Sequence, residues 1–300
     1  MNSPRKSVQS YREILEELII VESWLISIGI NPSKSRFAQV KKNMSIISKQ
    51  YDKNKIPELI KRKGRAWVIV SLMDSIPFLR IYHAFSSDKV DKILLEKIRE
   101  AINGPFFPWD EKKNTNNDYS RNTLFELEIA SMFKLRKFTI SGFNDLSIKF
   151  EDLIFNIQCK RFWDSKSIKE HVKKAHNQIK VELDSCPSGR GIIALSVEKP
   201  LGLYRKLLQS QTIEKADEEI GKFLMDYAKQ NRPKWNIVKI DTRMLAVLFY
   251  VRYVTAVGPK PGLYVGTKVH LDLFTIPHEQ SPVQANDDYK IRLMIKQVSD

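Results

Sequence analysis

Four polar residues in the middle of the chain are of the types that hydrolyse a phosphodiester bond. Gln158 and Lys160 stand two positions apart in an apolar run, Asp145 precedes them, and Glu126 lies further upstream. Carboxylate and amide oxygens are the hard ligands that Mg²⁺ prefers, and a lysine ammonium stabilises negative charge that develops on a phosphate. Brought together by the fold, these residues would support metal-dependent phosphodiester hydrolysis.

The elements around these residues are predicted from their periodicity. Residues 121–135 have helical apolar spacing, 138–141 a short strand, and 146–150 and 153–160 a strand hairpin. Because strand side chains alternate, we expect Gln158 and Lys160 on one face, with Ile157 and Cys159 in the core. An amphipathic helix is predicted to follow, with an apolar stripe formed by Ile168, Val172, Ala175, Ile179 and Leu183.

This arrangement resembles the PD-(D/E)xK nuclease superfamily over residues 119–197. The matching positions are Glu126 on a helix, Asp145, and the Gln158-Cys159-Lys160 tripeptide. Asn144 replaces the proline of the motif, and Gln158 replaces its second acid, as in Mrr-type restriction enzymes. The resemblance implies an α/β restriction-endonuclease-like core with a mixed central sheet flanked by helices. It also implies that Glu126, Asp145 and Gln158 hold Mg²⁺, or alternatively Mn²⁺, while Lys160 assists electrostatically.

Two glutamates compete for the role of the helix acid. Glu126 and Glu128 are two residues apart, so on a helix they face directions about 200° apart and only one can serve. Junction resolvases of the same superfamily place this acid about eleven residues before a Gly-aromatic pair. Lys137-Phe138 lies at that distance from Glu126, without the glycine. The spacing therefore favours Glu126.

The charge balance predicts a polyanionic partner. The 300-residue chain has 50 Lys and Arg against 35 Asp and Glu, a net charge of +15, which favours nucleic acid over an anionic membrane surface. The resemblance to the nuclease superfamily makes DNA the expected nucleic acid. The predicted helix after the motif presents a basic side, which is either a phosphate-tracking surface or a solvated helix face. The candidate nucleic-acid-binding residues are Arg161, Lys169, Lys173, Gln178 and Lys180, with His176 on the same basic side.

Cysteine and histidine spacing gives no indication of a zinc site. The two cysteines, Cys159 and Cys186, form no CxxC pair, and the five histidines form no HxxxH pair. The first twenty residues lack the apolar core of a signal peptide, and the longest apolar run, residues 244–250, is too short to span a bilayer. We therefore expect a cytoplasmic protein with no membrane partner.

The domain organisation is predicted from composition and periodicity. Residues 1–105 form an α-helical region, 106–120 a linker, and 121–300 the α/β nuclease domain. Within the first region we expect helices to about Gly29, over 35–51, over 67–85 with a kink or break at Pro77, and over 87–102 capped by Ser86 or Ser87. The basic stretch 61–65 lacks a clear recognition-helix signature, so a DNA-reading role and a docking or homodimerisation role stay open.

The sequence therefore predicts a metal-dependent DNA nuclease that acts in restriction, phage defence or repair. The first alternative keeps the nuclease fold but loses catalysis, leaving a nucleic-acid-binding or interaction module. The second is a helical regulatory protein whose function lies in the N-terminal third.

Overall fold

The chain folds as a mixed α/β protein, which confirms the predicted class. The computed structural model describes residues 10–111, 116–143, 146–238, 241–258, 262–274 and 282–299. Within them, the helices are α1 (Tyr11–Ser27), α2 (Arg36–Tyr51), α3 (Ile56–Lys63), α4 (Arg65–Phe85), α5 (Lys92–Ala101), α6 (Asn116–Leu135), α7 (Ile168–Ser185), α8 (Ile213–Asn231) and α9 (Pro282–Ser299). The strands are β1 (Thr139–Gly142), β2 (Leu146–Phe150), β3 (Leu153–Arg161), β4 (Gly189–Ser196), β5 (Leu207–Ser210), β6 (Met244–Val257) and β7 (Gly262–Leu273).

The chain divides into two compact units that alternate along the sequence. The first comprises Met1–Ser131, Gly202–Ile213 and Arg252–Gly266. The second comprises Met132–Leu201, Glu214–Val251 and Thr267–Asp300. Strand β6 therefore contributes its longer N-terminal part to the second unit and its end to the first.

Local capping signals set most helix ends of the first unit. Ser10 and Glu13 form a reciprocal capping box at the start of α1, and Ser35 accepts a hydrogen bond from the backbone of Ala38 to start α2. Helix α5 starts later than predicted, at Lys92, because Asp91 and not Ser86 or Ser87 accepts the 2.8 Å hydrogen bond from Leu94. A carboxylate at the N-cap also interacts favourably with the helix dipole.

Helix α4 runs unbroken through Pro77, so of the kink or break expected there, the break does not occur. Proline has no N–H to donate to the carbonyl four residues earlier, which here belongs to Met73. Arg252, from the end of β6, donates a 3.0 Å hydrogen bond to that carbonyl instead. Helix α4 is also long and apolar enough to cross a membrane, but 78% of its apolar window is buried inside the protein. Its apolar surface is therefore accounted for by packing.

The second unit contains the strand meander that carries the predicted motif. Strands β1, β2 and β3 pair antiparallel in sequence order, with Leu146 opposite Ile157. Strand β4 pairs parallel to β3, and β6 pairs parallel to β4. Strand β5 joins the far side of β6, and β7 also pairs with β6. The result is a mixed sheet of seven described strands.

Helix α7 packs closely on the β3–β4 part of the sheet. Its predicted apolar stripe, from Ile168 to Leu183, is buried. A Cβ at Gly191 would lie 2.9 Å from the Ile179 side chain, so the glycine permits this close approach. Gly191 pairs with Asn156 on β3. In-register residues of parallel strands point the same way, so α7 covers the face that carries Asn156, Gln158 and Lys160.

Candidate functional site

Gln158 and Lys160 share one face of β3 and contact each other, as the strand alternation predicts. The Lys160 ammonium donates to Gln158 Oε1 at 3.3 Å. Gln158 is only 7% exposed, and Ile157 on the opposite face is fully buried. Cys159 was expected in the core but is only partly buried. The pair therefore places a largely desolvated amide beside an ammonium cation.

Lys160 has a second amide partner on α7. Its Nζ donates to Oε1 of Gln178 at 2.6 Å, the shorter of the two bonds. Gln178 is exposed, so this contact lies where the sheet face meets solvent. Two residues that the sequence assigned to different roles, catalysis for Lys160 and nucleic-acid binding for Gln178, are thus directly bonded.

Asn156 extends the same polar row and was missed by the sequence reasoning. It is 4% exposed, and its Oδ1 accepts a 2.8 Å hydrogen bond from the Ser147 hydroxyl on the paired strand β2. A buried amide costs free energy unless it is hydrogen-bonded, so this bond fixes the Asn156 side chain. The same alternation that pairs Gln158 with Lys160 would have found Asn156, because it lies two residues before Gln158.

The predicted metal ligand Asp145 and its neighbour Asn144 lie outside the described residues. What the structure describes is the next pair along the hairpin. Leu146, which follows Asp145 in the chain, is paired with Ile157, which precedes Gln158. The role of Asp145 therefore stays a prediction.

The two competing helix acids both belong to the first unit and have different surroundings. Glu126 is partly buried, and its carboxylate accepts a 2.7 Å bond from the Lys97 ammonium. Glu128 is fully buried between Arg80, at 2.9 Å, and Arg252, at 3.7 Å. Glu128 is therefore held in internal ion pairs, and removing either partner would leave an uncompensated buried charge. Of the two, Glu126 is the acid with solvent access.

Two of the predicted basic residues are placed differently from the rest. Arg161 follows Lys160 on β3 and so points to the opposite face, with its Nη2 buried. His176 was expected on the exposed basic side of α7, but its ring is mostly buried, with Nε2 3.9 Å from the Asp241 carboxylate. Proximity to Asp241 therefore takes His176 out of the solvent-facing row.

The lysines Lys169, Lys173 and Lys180 are exposed on α7, but they do not share a flank with the Lys160–Gln178 contact. At about 100° per residue, they lie roughly 140–200° around the helix from Gln178. Lys174, also exposed, lies one turn before Gln178 and about 40° from it. Lys174 is therefore the α7 lysine on the site's flank, and the sequence reasoning did not single it out.

A buried network of charges occupies the interior of the first unit and was also missed. Arg121 is 1% exposed and pairs with Asp74 at 2.7 Å and Glu111 at 2.8 Å. Arg252 reaches Asp74 at 3.9 Å. Burial opposes ionisation of Asp74, but Arg121, Arg36 and Arg252 outweigh it and hold the pKa of Asp74 below its usual range. The detectable signal was a lone acid in the apolar run of α4.

Comparison with family models, curated proteins and solved structures finds no match to this chain. Among the described residues, no group of three or more His, Cys, Asp or Glu side chains is placed to hold a metal ion. A functional conclusion must therefore come from the geometry around Gln158 and Lys160.

Proposed function

We propose that the protein is a metal-dependent nuclease that hydrolyses DNA phosphodiester bonds on a restriction-endonuclease-like core. The order of elements supports this core. Helix α6 precedes three antiparallel strands, α7 follows them, and β4 returns parallel to β3. The mixed sheet with flanking helices is the arrangement that the resemblance implies. The motif residues Gln158 and Lys160 then lie on the central strand pair.

The observation that carries the proposal is the position of the Lys160 ammonium. It lies between Gln158 Oε1, on a desolvated strand face, and Gln178 Oε1, at the solvent edge. A cation there attracts a phosphate more strongly than a fully solvated lysine would, since the surrounding dielectric is lower. In this role Lys160 offsets the negative charge that develops on the scissile phosphate.

The donor set is chemically suited to a hard cation. Gln158 presents an amide oxygen, a ligand type that hard cations accept, and this oxygen also accepts the bond from Lys160. Asp145 and Gln158 would hold Mg²⁺ or Mn²⁺, with Glu126 as the third ligand that the sequence resemblance assigns. The metal, when bound, would polarise the phosphate and position the attacking water. The setting would be restriction, phage defence or repair, by analogy with the superfamily alone.

Cleavage of supercoiled plasmid and linear duplex DNA with Mg²⁺ or Mn²⁺ tests the proposal. We expect activity from the wild type, and none from Asp145→Ala or Lys160→Ala. Lys149→Ala is the matched control, because Lys149 is an exposed lysine of the same sheet. All variants should retain the wild-type circular dichroism. Full cleavage by well-folded Asp145→Ala would remove Asp145 from the site.

A second candidate is a nuclease-fold module that binds nucleic acid without cleaving it. Two observations favour it: the second motif acid is the uncharged Gln158, and Glu126 is already paired with Lys97. Both reduce the negative charge available to a metal. Magnesium binding measured by calorimetry on wild type and Gln158→Glu separates the two, because a decayed site gains affinity only in the variant.

A further inference from the structure

We propose a second nucleic-acid-binding surface, distinct from the β3 site, on the helical unit around the α3–α4 turn. This surface, the α3–α4 basic surface, consists of exposed lysines and arginines. Its members are Lys53, Lys55, Lys61, Arg62, Lys63 and Arg65. It would contact the phosphate backbone without reading the base sequence. The proposal does not depend on cleavage by the β3 site.

The local charge density is the first observation. The 13 residues from Lys53 to Arg65 hold those six cations and a single acid, Glu58. Gly64, with φ of +88°, is the single residue between α3 and α4. Four of the cations, Lys61, Arg62, Lys63 and Arg65, flank this one-residue turn. Like charges this close repel one another and lower stability, so the cluster is unfavourable in the absence of an anion.

The protein does not neutralise this cluster internally. Within the described residues, none of its six cations forms an ion pair with a carboxylate, in contrast to Lys41 on α2, which is bonded to Glu22. The helix dipole explains only part of the cluster. Lys61, Arg62 and Lys63 end α3, where cations are favourable, but Arg65 begins α4, where a cation opposes the dipole. Duplex DNA, with one charge per roughly 1.7 Å of axis, would match such a density.

The apolar residues of the same segment favour nucleic acid over a membrane surface. A helix that lies on a bilayer presents apolar side chains to the lipid next to its basic ones. Here Ile56 and Leu59 are 4% and 2% exposed, because they pack inside the protein. Among the described residues, no large hydrophobic from Lys53 to Arg65 is well exposed, and the nearest that is, Tyr51, is a single aromatic side chain, 42% exposed. The surface therefore offers charge without an apolar face to insert.

The test measures DNA binding by full-length protein without metal, so that cleavage does not contribute. A fluorescent duplex of random sequence is titrated at several salt concentrations by anisotropy. The test variant is Lys61→Gln/Lys63→Gln/Arg65→Gln. The control is Lys89→Gln/Lys92→Gln/Arg99→Gln, which also removes two lysines and one arginine, but from other exposed positions of the same unit.

We expect the test variant to raise the Kd about tenfold or more near physiological salt, and to reduce the slope of log Kd against log salt by about 0.9 per lost contact. The control should stay within about twofold of wild type. Equal weakening by both variants would overturn the proposal in favour of a diffuse charge effect. Binding to anionic vesicles that the test variant loses, with DNA binding unchanged, would also overturn it. Loss of cleavage alone would bear on the β3 site and not on this surface.

Discussion

The Arg252 guanidinium donates a 3.0 Å hydrogen bond to the carbonyl of Met73, the acceptor that Pro77 leaves without its helical donor. Arg252 is 4% exposed and also lies beside the carboxylates of Asp74 and Glu128. One buried side chain therefore repairs the backbone of α4 and neutralises charge in the first unit. A proline in the middle of this helix is tolerated because the donor comes from a strand nearly 180 residues away in the chain.

Replacing Arg252 should destabilise the protein strongly. Arg252→Met removes the donor to Met73 and leaves buried acids with less positive charge, which costs about 3–5 kcal/mol for a broken buried pair. Adding Pro77→Ala restores an N–H that can donate to Met73. We expect this second change to stabilise the Arg252→Met protein by about 1 kcal/mol more than it stabilises wild type. Urea unfolding of the four proteins measures the coupling.

Arg12→Met is the surface control for that cycle, because Arg12 forms an exposed ion pair with Glu16 and should change stability little. If Arg252→Met does not fold, Arg252→Lys keeps the charge and the cycle is repeated with it. Equal effects of Pro77→Ala in both backgrounds would show that Arg252 does not compensate for the proline.

Acidification should destabilise the first unit through Asp74. Its pKa is lowered in the folded state, where burial is outweighed by Arg121, Arg36 and Arg252. The Asp74 carboxyl therefore binds its proton less tightly in the folded protein than in the unfolded chain, where aspartates titrate at about pH 3.9. The stabilisation is present above that pH and is lost as the pH falls through the folded-state pKa.

The free energy of unfolding should therefore fall steeply below about pH 4 in the wild type and less steeply in Asp74→Asn. The two slopes should differ by up to about 1.4 kcal/mol per pH unit. Chemical unfolding across this pH range measures both slopes. The exposed Asp110→Asn variant gives the effect of removing one carboxylate elsewhere in the same unit. Identical slopes for Asp74→Asn and wild type would contradict the assignment.

Substitution of Gln158 should change the magnesium requirement of cleavage. Gln158→Glu adds a negative charge at the ligand position and should preserve activity while lowering the Mg²⁺ concentration needed. Gln158→Leu removes the oxygen, and with it one acceptor of Lys160, so it should raise that concentration sharply. Cleavage rate against Mg²⁺ concentration measures both. If Glu is inactive while Gln is active, the amide N–H has a role of its own; if neither variant nor wild type cleaves with Mg²⁺ or Mn²⁺, the decayed-site alternative holds.

The two flanks of α7 should contribute differently to DNA binding. Lys174→Gln removes a cation one turn from Gln178 and should reduce the salt slope of binding by about 0.9, the value for one phosphate contact. Lys169→Gln, an equal charge change about 180° around the helix from Gln178, is the matched control. The triple variant Lys169→Gln/Lys173→Gln/Lys180→Gln tests the sequence-based expectation for the other flank. A larger effect of Lys169→Gln than of Lys174→Gln would reverse the assignment.

The sequence by itself determined the elements and the local relationships within them. Strand β2 has the predicted bounds, and α7 buries the predicted stripe, because a period of two or 3.6 residues follows directly from backbone geometry. The shared face of Gln158 and Lys160 follows from the same alternation. The late start of α5 at Lys92, after the N-cap Asp91, was missed because several residues nearby were equally good caps in isolation.

Only the tertiary structure decided which distant groups meet. The bond from Lys160 to Gln178 depends on how α7 lies across β3, which the glycine at 191 permits and no local pattern specifies. The different surroundings of Glu126 and Glu128 are set by the arginines beside Glu128, and these come from α4 and β6. The continuity of α4 through Pro77 rests on Arg252. Hydrogen bonds and ion pairs between segments far apart in the chain leave no period in the sequence, so packing alone fixes them.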